Sequence, residues 1–348
     1  MKENKDILVG KTLSELQELA KERGWPKFTA KQLAEWIYHK KVISFEEMTN
    51  ISKKIREELK ADFEVGLTPH LKVSTSSDGT KKYLYPYGDL KFIETAYIPE
   101  ETRNTLCVSS QIGCKMGCLF CATGKQGFQG NLSAGQIVNQ VLSLPEKDKL
   151  SNIVYMGMGE PFDNPKEVMK SVEILTSEWG LGMSPKRITV STIGIIPAMK
   201  EFIEQGRGHL AISLHSPFEE ERRQLMPIEN VYALPQVIET LHEYDFNKQR
   251  RVSFEYIMFK GLNDQKKHVN EITRILHGLK ARINLIRFHP IPDTPLEGTD
   301  DKTVEWFKEE LNKKGITTTI RASRGQDIEA ACGLLSTREM VKRESPDF

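Results

Sequence analysis

Three cysteines fall within the eight residues CKMGCLFC, at Cys114, Cys118 and Cys121. Thiolates this closely spaced bind Zn²⁺ or an iron–sulfur cluster. A structural zinc site takes a fourth ligand, and no second CxxC or His pair stands nearby. Cys107, seven residues upstream, is one candidate for it. A site that stops at three leaves one metal position open. On a four-iron cluster the open iron can be chelated by the amino and carboxylate groups of a small molecule. The fifth cysteine, Cys332, lies more than two hundred residues away, whereas the other four sit within fifteen. An odd count argues against a disulfide framework. Taken alone, Cys332 in DIEAACGLL reads as a small buried residue on a short helix.

The elements around these residues change character along the chain. TLSELQELAKERG, TAKQLAEWIYHK and SKKIREELKADF carry apolar residues at helical spacing, and Gly24 stops the first. They predict a small helical bundle over residues 1–68. KKYLYPYGD and LKFIETAYIPE are rich in β-formers and predict a β-rich connector over 69–101. From 102 to 335 strands alternate with helices. TLCVSS, NIVYMGMG, RITVST, HLAISLH, RVSFEYIMF, INLIRFHP and GITTTIRA read as strands. SAGQIVNQVLSL, PKEVMKSVEILTSEW, LPQVIETLHEYD, DQKKHVNEITRILHGL and KTVEWFKEELNKK read as helices. Such alternation predicts an α/β fold with a parallel sheet curved into a full or partial barrel. Active sites of such folds collect at the C-terminal strand ends. The cysteine cluster, GMGE, STIG and SLHS all follow directly after predicted strands. The segment 336–348 reads as a loose polar tail.

Composition sets wider bounds. The 348 residues suggest about two domains. Net charge is +1, and residues 1–70 hold 13 basic against 12 acidic side chains. Charge therefore neither announces nor excludes a nucleic-acid partner. Lys40-Lys41 and Lys53-Lys54 are the only local basic hints there, and such pairs are usually solvated helix surface. No apolar run approaches the roughly 20 residues of a membrane helix. MKENKDILVGKTL has no apolar signal-peptide core, so no membrane association and a cytoplasmic location are expected.

CxxxCxxC after the first strand of a βα barrel resembles the radical S-adenosylmethionine (SAM) enzymes. The resemblance implies a partial (β/α)6 barrel and a [4Fe-4S] cluster on Cys114, Cys118 and Cys121. The open iron would bind SAM and split it to a 5′-deoxyadenosyl radical. Gly159 and Glu160 match the GE element that holds the SAM amino group. A Gly-Glu pair alone is just a turn; behind the cluster it gains meaning, since Gly admits close backbone approach and a carboxylate accepts from an ammonium.

A narrower resemblance rests on ETAYIPE, TLCVSSQIGC, CLFCATG, YMGMGEP, ITVSTIGIIP, AISLHSP, NLIRFHPIP and RGQDIEAACG. In order, these are similar to the RlmN-type adenine-C2 methyltransferases of 23S rRNA and tRNA. The resemblance implies two SAM per turnover. One methylates Cys332; the other yields the radical that takes hydrogen from the S-methyl group. The methylene radical then adds to C2 of an adenine that is flipped out or single-stranded. Cys107 helps to resolve the adduct through a transient disulfide with Cys332, and Glu94 matches the proton acceptor. Without the resemblance Glu94 reads as a surface residue of a strand, and Cys107 as a cluster ligand or core residue. Ser191, Ser213, Leu214 and His215 match cofactor positions, although a lone His is more often structural. His289 falls where many relatives have Asn. Arg321 and Arg324 are read as phosphate contacts for RNA, with surface ion pairs as the alternative. A monomer served by an external electron donor is implied. Two rival readings stand: a C8-methylating resistance enzyme with the same five cysteines, and a non-catalytic, zinc-stabilised RNA-binding protein.

Overall fold

In the computed structural model, residues 5–88, 91–246 and 251–337 are described. The N-terminal helices are Leu13–Glu22, Thr29–Ala34 (running on into a wider turn at Glu35–His39) and Lys53–Asp62. Thr12 opens the first with a reciprocal cap: its hydroxyl accepts the Glu15 N–H, and the Glu15 carboxylate accepts the Thr12 N–H. A short parallel pair, Asp6–Ile7 with Phe63–Glu64, ties the two ends of this region together.

The apolar faces of these helices, including Leu16, Leu33, Ile37 and Leu59, form one core with Val138, Leu142 and Ile174. The last three belong to the helices Ala134–Leu142 and Pro165–Thr176 of the following part. The bundle is therefore docked, and two glycines let it come close. A Cβ on Gly135 would lie 2.4 Å from the Val9 carbonyl oxygen, and one on Gly10 2.3 Å from the Gly135 nitrogen.

A ten-stranded sheet follows. Seven parallel strands run in chain order: Asn104–Cys107, Asn152–Tyr155, Ile188–Thr192, His209–Ser213, Val252–Met258, Ala281–Arg287 and Thr317–Ile320. That is one strand beyond a six-unit barrel, and the seventh delivers the chain to Arg321 and Cys332. Val252–Met258 is buried along its whole length, as a parallel strand covered on both faces must be. On the other side of Asn104–Cys107 the sheet continues antiparallel through Phe92–Pro99, Lys81–Pro86 and Lys72–Thr75, the expected β-rich connector. Among the described residues the two edge strands do not pair with each other, so the barrel stays open.

The five helices read from sequence in this part are present, and three more appear among the described residues, Ala122–Gln126, Ile196–Gln205 and Glu219–Leu225. The polar tail needs a correction at its start. Thr337 is fully buried, and the Ser336 and Thr337 N–H groups both donate to side chains of the site. Residues 338–348 of the tail lie outside the described residues. No helix among the described residues is long and apolar enough to cross a membrane.

Candidate active site

The chain leaves the Asn104–Cys107 strand into a buried loop that carries the three clustered cysteines. Cys121 stands at the start of the short helix Ala122–Gln126, and its N–H donates to the Cys118 carbonyl at 3.2 Å. All five cysteines are free thiols. Burial pushes Cys114 up to about 12 and raises Cys118 and Cys121 as well; Cys121 adds to the rise at Cys114 and Cys118, and Cys332 to that at Cys121. Dry thiols that feel each other's charge stay protonated until a metal centre replaces the protons.

Whether the residues fit a cluster or a single ion can be judged from their spread. One tetrahedral zinc draws its thiolates to within about 4 Å of each other. Among the described residues no three His, Cys, Asp or Glu side chains converge in that way. Three buried thiols on one eight-residue loop supply the three protein ligands that a four-iron cluster with one open iron takes.

Gly159 and Glu160 follow the neighbouring Asn152–Tyr155 strand. Gly159 has φ +96°, and a Cβ there would lie 2.5 Å from the Gln111 side chain. Its neighbour's carboxylate is buried. Oε1 accepts from the Thr192 hydroxyl (2.6 Å) and the Phe162 N–H (3.0 Å), and Oε2 from the Ile193 N–H (3.1 Å). Burial still raises it to about 7. Among the described residues no Lys or Arg pairs with it. A buried carboxylate with fixed neutral donors and no cation suits the ammonium of an incoming ligand.

Ser191 and Ser213 stand half-buried at the ends of their strands. Leu214 is fully buried, and its N–H donates to the Glu255 carbonyl. His215 has φ +55°; its Nδ1 accepts the Ile257 N–H at 3.0 Å and its ring meets Phe120 edge-on at 4.6 Å. Burial, with Arg222 nearby, depresses it to about 3, so this imidazole is neutral. Its Nδ1 is committed to the fold, which leaves Nε2 as the ring atom for a ligand. His289 lies apart from these, beyond the Ala281–Arg287 strand, on the wall of a cavity of about 650 Å³.

That cavity also takes in Glu94, Lys82, Lys125, Leu334 and Ser336. Its volume is in the range of small-molecule pockets. Glu94 is 4% exposed, not a surface residue. Its carboxylate meets Lys82 Nζ at 2.9 Å and accepts the Ser336 N–H at 3.0 Å. Burial raises its pKa against the opposing pull of Lys82.

Cys107 pairs with Ala96 on the same antiparallel strand as Glu94 and packs with Ala330. Burial, then the nearby Cys332 sulfur, pushes its thiol up to about 12. Cys332 packs in the apolar cluster that contains Cys118 and Phe120. Its loop is held on two sides. The Ala122 N–H donates to the Gly333 carbonyl at 2.8 Å, while Asp78 and Asp327 fasten the loop to the tip of the β-hairpin.

Arg321 sits beside both sulfurs, whose proximity raises its pKa together with Glu255. The guanidinium donates to Glu255 Oε2 at 3.3 Å and to the Met156 sulfur at 3.1 Å. Its expected role as a free phosphate contact is thus replaced by a place among the thiols. Lys82, Arg321, Glu255 and Ser336 are the site members that sequence reasoning missed or misplaced. Cys332 lies beside Cys107, the pair for which the resemblance implies a transient disulfide, and it also adds to the raised Cys121 thiol, a neighbour that sequence reasoning did not name.

Comparison with known proteins completes the description. Residues 108–272 match the Radical SAM superfamily, and residues 7–65 match the ribosomal RNA large subunit methyltransferase N-terminal domain. A probable dual-specificity RNA methyltransferase RlmN of Phocaeicola vulgatus is 54% identical over 99% of both chains. The dual-specificity RNA methyltransferase RlmN of Nitratiruptor is 44% identical over 90% of this chain and 94% of that one. The crystal structure of a radical SAM methyltransferase from Sphaerobacter thermophilus superposes with a TM-score of 0.89 at 36% identity, covering 95% of this chain and 99% of that one.

Proposed function

The chain belongs to the RlmN family of radical SAM RNA methyltransferases, and from that premise we propose that it methylates C2 of an adenosine in 23S rRNA and in tRNA, with Cys332 as the methyl carrier. The observation that carries this reading is the meeting of Cys332 with Cys107, Arg321 and the Cys121 end of the cluster loop, from parts of the chain over two hundred residues apart. The enzyme uses a [4Fe-4S] cluster and SAM, which when bound supply a methyl group and a strong hydrogen-atom abstractor. Cys114, Cys118 and Cys121 hold the cluster. Glu160 holds the SAM ammonium, with Gly159, Ser191, Ser213, Leu214, His215 and His289 around the cofactor.

Adenine C2 is electron-poor and does not attack a methyl cation, so the methyl group reaches it by way of Cys332. The S-methyl group loses a hydrogen atom, and the resulting methylene radical on Cys332 adds to C2. The adduct then returns one electron to the external electron donor in its oxidised form and gives the C2 proton to Glu94. The Cys107 thiolate attacks Sγ of Cys332, forming an S–S bond. The S–CH₂ bond breaks with its electron pair on carbon, which takes up a proton to become the methyl group. Arg321 favours the thiolate form of Cys107 by its charge, against the burial that raises that thiol. The protein acts as a cytoplasmic monomer.

The test is to digest RNA after incubation with anaerobically reconstituted enzyme, SAM and a reductant, and to identify the nucleoside by mass spectrometry. The expected product is 2-methyladenosine, absent with Cys332→Ala. Finding 8-methyladenosine would move the protein to the C8 group, and formation of either product by Cys332→Ala would remove the carrier role.

A further inference from the structure

Lys82 lies outside every role given above, yet it touches both Glu94 and the loop that carries Cys332. It sits on the Lys81–Pro86 strand, where Leu84 is directly opposite Glu94 and Lys82 opposite Ala96. Lys82 and Glu94 are therefore diagonal neighbours on one face of the sheet, within reach of a long side chain. The Nζ–Oε1 distance is 2.9 Å, with the two side chains only 13% and 5% exposed. The same ammonium donates to the Glu329 carbonyl at 3.4 Å. Glu329, three residues before Cys332, has φ +55°, a conformation that a non-glycine residue keeps only when its surroundings hold it. The adjacent Lys81 behaves differently and pairs with Glu146 instead.

We propose that Lys82 is a positioning residue that holds the Glu94 carboxylate as a ready proton acceptor, its ammonium fixed in place by the Glu329 carbonyl. The proposal rests on the reading of Glu94 as proton acceptor. The charged and titratable groups around Glu94 are few: Lys82 from the hairpin, Glu329 from the Cys332 loop, and Lys72, Lys125, His289 and Asp293 on the shared cavity wall. The Lys125 ammonium is already engaged with the carbonyls of Pro292 and Asp293. Burial raises the Glu94 carboxyl and the Glu329 charge adds to it; Lys82 is the strongest opposing influence, ahead of the Ser336 N–H. Without Lys82, burial raises the carboxyl further, so that it stays protonated into a still higher pH range, where it accepts nothing.

The experiment is single-turnover RNA methylation by reconstituted Lys82→Met holoenzyme between pH 6.5 and 9. The Cys332–RNA cross-linked species is followed on denaturing gels. A neighbouring opposite charge is worth about one to three pH units. The expected result is a rate at pH 7 lowered about tenfold or more, recovery toward pH 9, and cross-linked protein that accumulates at neutral pH and clears when the pH is raised. S-methylation of Cys332 should stay within about twofold of the parent, and Lys82→Arg should restore the parental profile. If Lys82→Met does not fold, Lys82→Gln, which keeps a donor but no charge, must show the same alkaline displacement. The proposal is overturned if the profile keeps its parental position, or if the rate falls equally at every pH together with Cys332 S-methylation. Failure of the underlying reading has a separate signature, undiminished RNA methylation by Glu94→Gln in the parental background.

Discussion

Arg222 is a guanidinium with no exposed surface, and its only carboxylate partner among the described residues, Glu229, is equally buried. Its remaining N–H groups donate to the carbonyls of Ile193 (2.8 Å), Ser213 (3.2 Å) and Leu214 (3.2 Å). It thereby stitches the ends of the two strands that carry Ser191 and Ser213. Glu229→Gln keeps volume and can still accept the Leu234 N–H, but it leaves the cation buried without a counter-charge. Breaking a buried pair from one side costs about 3–5 kcal/mol. Unfolding entropy is about 2.1 cal/mol/K per residue, so about 0.7 kcal/mol/K for 348 residues. The expected fall in melting temperature is therefore about 4–7 °C. Glu220→Gln is the matched control, since its pair with Arg223 is exposed and worth under about 1 kcal/mol, or less than about 1.5 °C. Thermal unfolding followed by circular dichroism at one protein concentration compares them. Equal melting temperatures for the two variants would refute the reasoning. SAM affinity measured on the folded Glu229→Gln protein should also weaken, because the strand ends shift.

Three other changes have definite outcomes. Glu160→Gln removes a charge-assisted hydrogen bond of about 1.5–3 kcal/mol to the ligand ammonium, so SAM should bind about ten- to a hundredfold more weakly in equilibrium titration. Gly135→Ala sets a methyl group 2.4 Å from the Val9 carbonyl, so the N-terminal bundle should undock; protease sensitivity within residues 5–68 should rise while SAM cleavage persists. The Cys107 thiol is held up at about 12, so resolution of the cross-linked species should speed up by about tenfold per pH unit from 7 to 9. That species should persist at every pH in Cys107→Ala.

Much of this molecule was legible in its sequence where the signal is local. Strand and helix periods located the seven parallel strands, and the CxxxCxxC spacing located the thiols. The Ile196–Gln205 helix escaped although Pro197 in its first turn and Gly206 at its left-handed end were visible, because the preceding STIG drew attention as a strand end. Glu94 resists reading for a physical reason. Alternation fails in FIETAYIP because the strand is covered on both faces, six of its eight residues being buried. The partners that define the site are the least legible. Ser336 meets Glu94 across 242 residues and Arg321 meets Glu255 across 66, and no local pattern encodes such pairs. His215 shows the opposite case: the residue is visible, but only its hydrogen bond to Ile257 reveals that Nδ1 is spent on the fold.

The central claim is that carbon reaches the RNA as a methylene group on Cys332, and an isotope count tests it directly. Starting from the free Cys332 thiol, checked by mass spectrometry, the reconstituted enzyme is given SAM labelled as S-CD₃ in unlabelled water. Transfer through Cys332 loses one deuterium to the abstracting radical and gains one proton from solvent, so the predicted 2-methyladenosine carries CHD₂. A product carrying CD₃ would mean that the methyl group moves intact, and it would contradict the account.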